Sequence, residues 1–146
     1  MRGSGEEVIL YVDLGCPHCA ASWARIRELE LRLALRHFPL KSKHPRAPAL
    51  HAAAEAAGLQ GRFWEMADSI LTDQGHQDDP HLWERARGLG LDLERFERDR
   101  RSDQVAARVR SDFEAGIRAG VGSTPAAFVG SRLMAGDVER ELAALP

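Results

Sequence analysis

The two cysteines of the chain lie in one short motif, Cys16-Pro17-His18-Cys19, where an apolar run gives way to a helical pattern. The run from Val8 to Leu14 is short, apolar and partly β-branched, which is typical of a buried strand. After Pro17, apolar residues such as Trp23 and Ile26 recur at intervals of three and four, which predicts a helix with proline in its first turn. The motif therefore lies at a strand-to-helix turn.

The next elements predict a mixed sheet. From Leu31 to Leu35, leucines alternate with other residues, which indicates a second strand, parallel to the first in a right-handed βαβ unit. Ala126–Val129 and Arg132–Met134 flank Gly130-Ser131, a loop of hairpin type. A short helix is predicted from Asp137 to Leu145. We therefore expect an α/β fold in which βαβ and ββα units form a four-stranded sheet.

The middle of the chain is predicted to be an all-helical insertion over about residues 44–112. Three helices are expected over 49–57, 62–71 and 80–87, the last with an Asp79-Pro80 cap, and a longer one over 92–119 with a break near Ser102. In its second half this long helix is expected to bury one stripe of apolar side chains: Val105, Val109, Phe113 and Ile117.

Length and charge narrow the classes of protein that fit. A chain of 146 residues with a net charge of −2 should form one domain, over residues 8–146, and has no basic footprint for nucleic acid or an anionic membrane. No apolar stretch approaches the roughly 18 residues of a membrane helix. Residues 1–7 are expected to be a disordered tail or a cloning remnant without a signal-peptide core. The sequence is consistent with a cytoplasmic protein and with an exported protein that has been processed.

A reactive dithiol is the leading interpretation of the cysteine motif. A helix N-terminus lowers the pKa of a thiol through its free N–H groups, so Cys16 is the expected exposed nucleophile. Cys19 is expected to be buried and to resolve the mixed disulfide, while His18 places a donor or a positive charge beside Cys16. A structural disulfide here would close a ring of only four residues and would stabilise the fold by only about 2 kcal/mol. A zinc site would need ligands from distant histidines.

Five segments together resemble the DsbA-like branch of the thioredoxin superfamily. They are Asp13 three residues before the first cysteine, the CPHC motif, RHFPL at 36–40, FWEMADSIL at 63–71 and GVGSTPAAFV at 120–129. The resemblance covers Val8 to Leu145. It implies a thioredoxin-like fold with a helical insertion and a thiol-disulfide oxidoreductase that needs neither a cofactor nor a metal.

The resemblance also implies how the site works. Pro125 would form a cis peptide bond facing the dithiol, and the backbone of Thr124 would pair with the partner peptide. CPHC is associated with disulfide-donating members, so protein or peptide thiols would be oxidised and an unidentified redox partner would regenerate the disulfide. The alternatives are a cytosolic reductase, a glutathione-dependent enzyme, and a non-catalytic binding or regulatory domain. Such a non-catalytic domain could be attached to a transporter in a longer chain. Small-molecule branches of the superfamily usually carry serine at position 16, which counts against them.

Several polar and aromatic residues have two interpretations each. Asp13 is a candidate proton relay for Cys19 or a cap for the turn at Cys16. Phe63, Trp64 and Met66 either line a peptide groove or, more simply, pack in the core. The cluster of His76, Asp78, Asp79 and His81 suggests a metal site, but the helix cap explains most of it. Glu94–Arg110 is expected to be a solvated face, and the sequence assigns no partner to His37, His44 or His51.

Overall fold

The computed structural model describes residues 2–146, in which four strands form one mixed sheet. Strands β1 (Glu6–Val12) and β2 (Leu31–His37) are parallel, as the sequence predicts. Strand β3 (Ala126–Val129) is antiparallel to β1, and β4 (Arg132–Met134) is antiparallel to β3. The order β2-β1-β3-β4 confirms the predicted α/β class and makes β1 a central strand.

The described residues contain seven helices. Helix α1 joins β1 to β2, five helices lie between β2 and β3, and the last follows β4; their bounds are α1 Pro17–Ile26, α2 Ala47–Gly58, α3 Phe63–Leu71, α4 Asp79–Gly88, α5 Leu93–Arg100, α6 Asp103–Arg118 and α7 Val138–Ala143. Within residues 2–146, none of these helices combines the length and apolar character that crossing a bilayer requires.

The core lies on both faces of the sheet because β1 is central. Val8, Leu10 and Val12 are almost fully buried in the larger cluster, which includes Trp23 of α1. Tyr11 points to the opposite face, where a smaller aromatic cluster forms. Alternate residues of a strand point to opposite faces, so burial on both sides accounts for the nearly continuous apolar run in the sequence. This double packing fixes the end of β1, where the cysteine motif begins.

The N-terminal residues are more ordered than expected. Strand β1 starts at Glu6 and not at Val8, and Arg2 forms an isolated antiparallel bridge with Leu33. The Arg2 N–H donates to the Leu33 carbonyl (2.8 Å), and the Leu33 N–H donates back (2.7 Å). The prediction of a disordered tail over 1–7 is therefore wrong for these residues, because they satisfy the free edge of β2. Met1 lies outside the described residues.

The predicted long helix over 92–119 is two helices, divided where the sequence indicates a break. Ser102 is the N-cap of α6, and its Oγ accepts the Val105 N–H at 3.2 Å. Asp92 caps α5 in the same way by accepting the Arg95 N–H at 3.1 Å. Each cap satisfies one of the free N–H groups at a helix start, so two capped helices replace one continuous helix.

The buried side of α6 differs from the predicted stripe in its C-terminal half. Val109 is buried as expected, but Ile117 is 54% exposed. The buried positions there are Asp112 and Gly116. Asp112 accepts the backbone N–H of His37 at 3.1 Å, which ties α6 to the end of β2. The sequence pattern missed this side because neither residue is a large apolar one.

Gly116 allows α6 to approach two aromatic rings closely. A Cβ at this position would lie 2.9 Å from ring carbons of both Phe38 and Tyr11. We expect Gly116→Ala to lower the free energy of unfolding by about 2 kcal/mol, because the overpacking outweighs the better helix propensity of alanine. The control is Gly88→Ala in α4, where a Cβ would meet nothing within 4 Å, and a gain of about 0.5 kcal/mol is expected. Urea unfolding of both variants distinguishes these results, and a Gly116→Ala variant as stable as the parent would contradict the packing argument.

The start of α4 and the arginine-rich segment also depart from expectation. Asp78, and not Asp79, holds the N-cap position of α4. Asp79 instead accepts from Arg46 at 2.6 Å and lies 3.4 Å from Arg100. The Arg100 side chain is only 6% exposed, so the predicted solvated face over 94–110 is wrong at this residue. The charged guanidinium of Arg100 can be buried because neighbouring carboxylates pair with it.

Candidate active site

The cysteine motif forms the first turn of α1. Cys16 is the N-cap residue with extended backbone angles (φ −95°, ψ 119°), and Pro17 follows in the first turn, where no N–H is needed. Cys19 is 1% exposed and packs into the main core. Cys16 is only 8% exposed, so the expectation of an exposed nucleophile is corrected. Walls from neighbouring loops enclose its thiol.

The two thiols have opposite electrostatic environments. A hydrogen bond from Cys19 is the main cause that lowers the pKa of Cys16 to about 5; burial opposes it, while the backbone N–H groups of Cys19 and His18 and the charge of His44 assist it. The hydrogen bond to Cys16, together with burial, raises the pKa of Cys19. At pH 7 a thiol with a pKa near 5 is about 99% thiolate. These environments favour a thiolate at Cys16 and a protonated thiol at Cys19.

The cis peptide bond between Thr124 and Pro125 lies in the loop just before β3. Thr124 shares with Cys16 the lining of a cavity of about 370 Å³. Its side-chain Oγ1 is buried on the side of Cys19, where it partly opposes the rise in the pKa of that thiol. The residues that line this dithiol cavity are Cys16, Pro17, His18, Leu40, Lys43, His44, Ser123 and Thr124. The structure thus brings together residues that lie more than 100 positions apart.

Asp13 is fully buried beneath the cysteine turn. Its Oδ1 accepts the Gly15 N–H (2.8 Å), and its Oδ2 accepts the Leu40 N–H (2.9 Å) and the Nδ1–H of His44 (2.8 Å). Burial alone would raise the pKa of Asp13, but these hydrogen bonds hold the pKa below its ordinary value. Asp13 therefore caps the turn as an ionised carboxylate, and its role as a proton relay stays a prediction.

A chain of buried hydrogen bonds links the cysteine turn to helix α2. The Leu14 N–H donates to His51 Nε2 at 3.0 Å, so the ring proton of His51 lies on Nδ1. That nitrogen is 2.6 Å from His37 Nδ1, and His37 Nε2 is 2.6 Å from Glu55. One arrangement satisfies every contact: His51 donates to His37, and His37 donates to the Glu55 carboxylate. Burial lowers the pKa of His51 to about 4, which keeps this ring neutral.

The aromatic residues of FWEMADSIL lie away from the dithiol cavity. Met66 is fully buried, in agreement with the core interpretation. The ring of Trp64 stacks on Trp23 at 6.1 Å between centroids, and Phe63 packs edge-on against Trp64 at 5.5 Å. Phe63 and Trp64 line a separate groove with Glu55. Trp64 therefore packs against α1 through Trp23. The groove that Phe63 and Trp64 line is separate from the dithiol cavity.

The histidines of the predicted metal cluster pair with carboxylates near them in sequence. His76 Nδ1 lies 2.7 Å from Asp73, and His81 pairs with Asp78. Asp79 is engaged with the arginines described above. Across residues 2–146, no group of three or more histidine, cysteine, aspartate or glutamate side chains converges as a metal site would require.

Sequence analysis missed His44 and His51. His44 reaches Asp13 across 31 positions, and His51 reaches Leu14 across 37. One available signal is topological: β1 and β2 are parallel, so their carboxyl ends meet at one edge of the sheet, and polar residues that follow both strands lie there together. His44 follows β2 as Asp13 follows β1, so these two could have been paired on that basis.

A reactive dithiol at the start of α1, opposite a cis-proline loop on a mixed sheet, defines a thioredoxin-fold thiol protein. Residues 7–144 match the family model described as DSBA-like thioredoxin domain. The chain therefore belongs to the family of DSBA-like thioredoxin domains.

Solved structures share this fold over nearly the whole chain. The thiol-disulfide exchange protein alpha-DsbA2 from Wolbachia pipientis superposes with a TM-score of 0.83 at 17% identity, and covers 98% of this chain and 83% of its own. A thioredoxin-like oxidoreductase from Silicibacter pomeroyi gives 0.79 at 23% identity, with 97% and 89% covered. At these identities the likeness shows the fold.

Curated relatives are closer in sequence but much longer. The chain is 38% identical over 140 residues to Na(+)/H(+) antiporter NhaA 1 of Salinispora arenicola and 37% identical over 138 residues to Na(+)/H(+) antiporter NhaA of Herminiimonas arsenicoxydans. Each alignment covers 90% of this chain and 22% of the relative. The chain thus spans about a fifth of the length of the curated relatives it matches.

Proposed function

We propose that the protein exchanges disulfides with protein or peptide thiols through Cys16 and Cys19, and that it acts as an oxidant. The observation that carries this proposal is the placement of Cys16 at the N-cap of α1 and in the lining of the cavity, with Cys19 more deeply buried. In this placement the pKa of Cys16 is lowered and the pKa of Cys19 is raised. A stabilised thiolate at Cys16, which lines the cavity, and a protonated thiol at the more deeply buried Cys19 favour the reduced enzyme. Stabilising the reduced form raises the reduction potential and makes the disulfide a stronger oxidant.

The catalytic cycle transfers two electrons from two substrate thiols to the disulfide. A substrate thiolate attacks the Cys16 sulfur, a substrate–Cys16 bond forms, and the Cys16–Cys19 bond breaks with its electron pair on Cys19, which takes up a proton. The second substrate thiolate then attacks the substrate sulfur of the mixed disulfide. This step forms the substrate disulfide and releases Cys16 as a thiolate, a good leaving group because of its low pKa.

The loop before β3 is proposed to position the substrate. Thr124 lines the cavity beside Cys16, and the backbone N–H and C=O of Thr124 are proposed to pair with an extended substrate peptide. Pro125 has no N–H to compete for that peptide or for the sulfurs. Pro17 and His18 form the opposite wall, and His18 also donates its backbone N–H toward the Cys16 thiolate.

The antiporter relatives favour a second candidate function. The domain they share with this chain makes up about a fifth of their length, so a regulatory or binding domain attached to a transporter is a coherent alternative. In that role the fold would bind a partner without turning over thiols. A cytosolic reductase, or a glutathione-dependent enzyme, would use the same residues in the opposite direction or on a small thiol.

The reduction potential of the Cys16–Cys19 pair tests the proposed direction. Equilibration with glutathione mixtures at pH 7, read by mass spectrometry after thiol alkylation, is expected to give a value near or above about −200 mV. The low pKa of Cys16 is the physical reason. A value near about −270 mV would indicate a reductase and would contradict the oxidant assignment.

A further inference from the structure

The loop after β2 places a second histidine at the dithiol. His44 lines the same cavity as Cys16, and its side chain is 22% exposed. Its Nδ1 donates to Asp13 Oδ2 at 2.8 Å. With Nδ1 fixed in this way, Nε2 is the ring nitrogen that can take up or release a proton. A carboxylate that orients an imidazole beside a nucleophilic thiol is an arrangement that supports acid–base catalysis.

Of the two histidines near Asp13, only His44 is suited to carry a proton. His51 is fully buried, and its Nε2 already accepts the Leu14 N–H, so it offers Asp13 no donor across the 3.9 Å between them. Burial keeps His51 neutral by lowering its pKa to about 4. A fully buried carboxylate needs partners that satisfy its charge, and among the side chains bonded to Asp13, His44 is the one that lines the cavity.

We propose that His44, oriented by Asp13, is the general acid–base of thiol exchange at Cys16. The inference rests on the proposed function and adds to it the group that moves the proton. Neutral His44 takes the proton from the incoming substrate thiol, and the resulting thiolate attacks Cys16. Two substrate thiols lose two protons and two electrons in the cycle. At its end Cys19 holds one proton, His44 holds the other, and Cys16 is a thiolate beside the imidazolium.

The charges around His44 support this assignment. Asp13, from the turn before α1, and the Cys16 thiolate are negatively charged neighbours of His44, and Lys43 on the same loop is a positively charged one. His18 lies on the cavity wall but stabilises the Cys16 thiolate through its backbone N–H, while His44 stabilises it through charge. The titratable groups that face His44 are thus Asp13, Cys16, His18 and Lys43, with the neutral His51 behind Asp13.

The test is His44→Asn, which retains an amide N–H toward Asp13 but removes the imidazole. We expect the midpoint of the Cys16 thiolate titration, followed by ultraviolet absorbance, to rise by about one pH unit. We also expect the rate at which the oxidised protein oxidises a reduced peptide to fall about tenfold at pH 7. His44→Gln, a second variant without an imidazole, is expected to show the same two changes. His18→Ala should shift the titration less, because its backbone N–H remains.

The matched control is His76→Asn. His76 makes a similar bond to a carboxylate, 2.7 Å to Asp73, but lies outside the cavity lining, so titration and rate should stay at parental values. If folded His44→Asn and His44→Gln proteins titrate and react like the parent from pH 5 to 8, the inference is overturned. If the parent protein shows no thiol exchange at all, the proposed function is overturned instead. The thiolate titration can still be measured in that case, and an unchanged midpoint in both His44 variants would overturn the role of His44 separately.

Discussion

Replacing Cys16 by serine is expected to reduce the oxidation of a dithiol peptide to the uncatalysed rate. Serine keeps the N-cap position of α1 but has no sulfur that can form a disulfide with Cys19 or with substrate. The measurement is peptide oxidation followed by mass spectrometry, with circular dichroism to show that the variant folds. The low pKa of the Cys16 thiol should also disappear from the ultraviolet titration.

Replacing Cys19 by serine is the matched variant, because it leaves the nucleophile and removes only the resolving thiol. Cys16 should then attack substrate disulfides and remain attached to them, so mixed disulfides should accumulate on non-reducing gels. If the Cys16→Ser protein still oxidises reduced peptides, the proposed mechanism is wrong. If neither variant changes any thiol reaction of the parent, the non-catalytic alternative becomes the better interpretation.

Replacing Asp13 by alanine is expected to cost about 3 kcal/mol of unfolding free energy at pH 7. The substitution leaves three donors without their acceptor, namely the N–H groups of Gly15 and Leu40 and the Nδ1–H of His44. Each buried donor that loses its partner costs roughly 1–3 kcal/mol, and partial rearrangement of the loop reduces the sum. Urea unfolding at equilibrium measures the difference.

The stability contributed by Asp13 should depend on pH in one direction. The pKa of Asp13 is lower in the folded protein, so its contribution is complete above the unfolded value near 4 and is lost as the pH falls through the folded value. The gap between the parent and Asp13→Ala should therefore narrow below about pH 4. Glu114→Ala, which removes an exposed carboxylate on α6, should show no comparable loss of stability at pH 7. A loss below about 1 kcal/mol at pH 7 for Asp13→Ala would show that these hydrogen bonds are replaced easily.

Local sequence patterns predicted the elements that hold the dithiol. The apolar run of β1, the proline in the first turn of α1 and the alternation in β2 each report a periodicity that the backbone imposes. The hairpin around Gly130-Ser131 was also correctly placed. The predicted break near Ser102 is confirmed. It could be predicted because a helix cap is a local interaction between residues three apart. In each case the determining contacts lie within a few residues of one another.

The electrostatic support of the dithiol could not be predicted in the same way. His51 lies in an alanine-rich helix, where periodicity distinguishes the faces poorly, so its contact with Leu14 follows only from how α2 packs near the end of β1. The buried side of α6 shows the same difficulty, because Gly116 is selected by two rings far away in sequence. Packing between distant elements decided these positions, and single-sequence periodicity carries no information on it.

The hydrogen bond from Leu14 to His51 ties the helical insertion directly to the cysteine turn. The backbone N–H of Leu14, in the turn between β1 and Cys16, is satisfied by His51 of α2, and His51 is held through His37 to Glu55. A chimera that exchanged the insertion for that of another thioredoxin-fold protein would remove this support even if all four CPHC residues were kept. Transplanting the activity between scaffolds would therefore require moving the strand, the cysteine turn and helix α2 together.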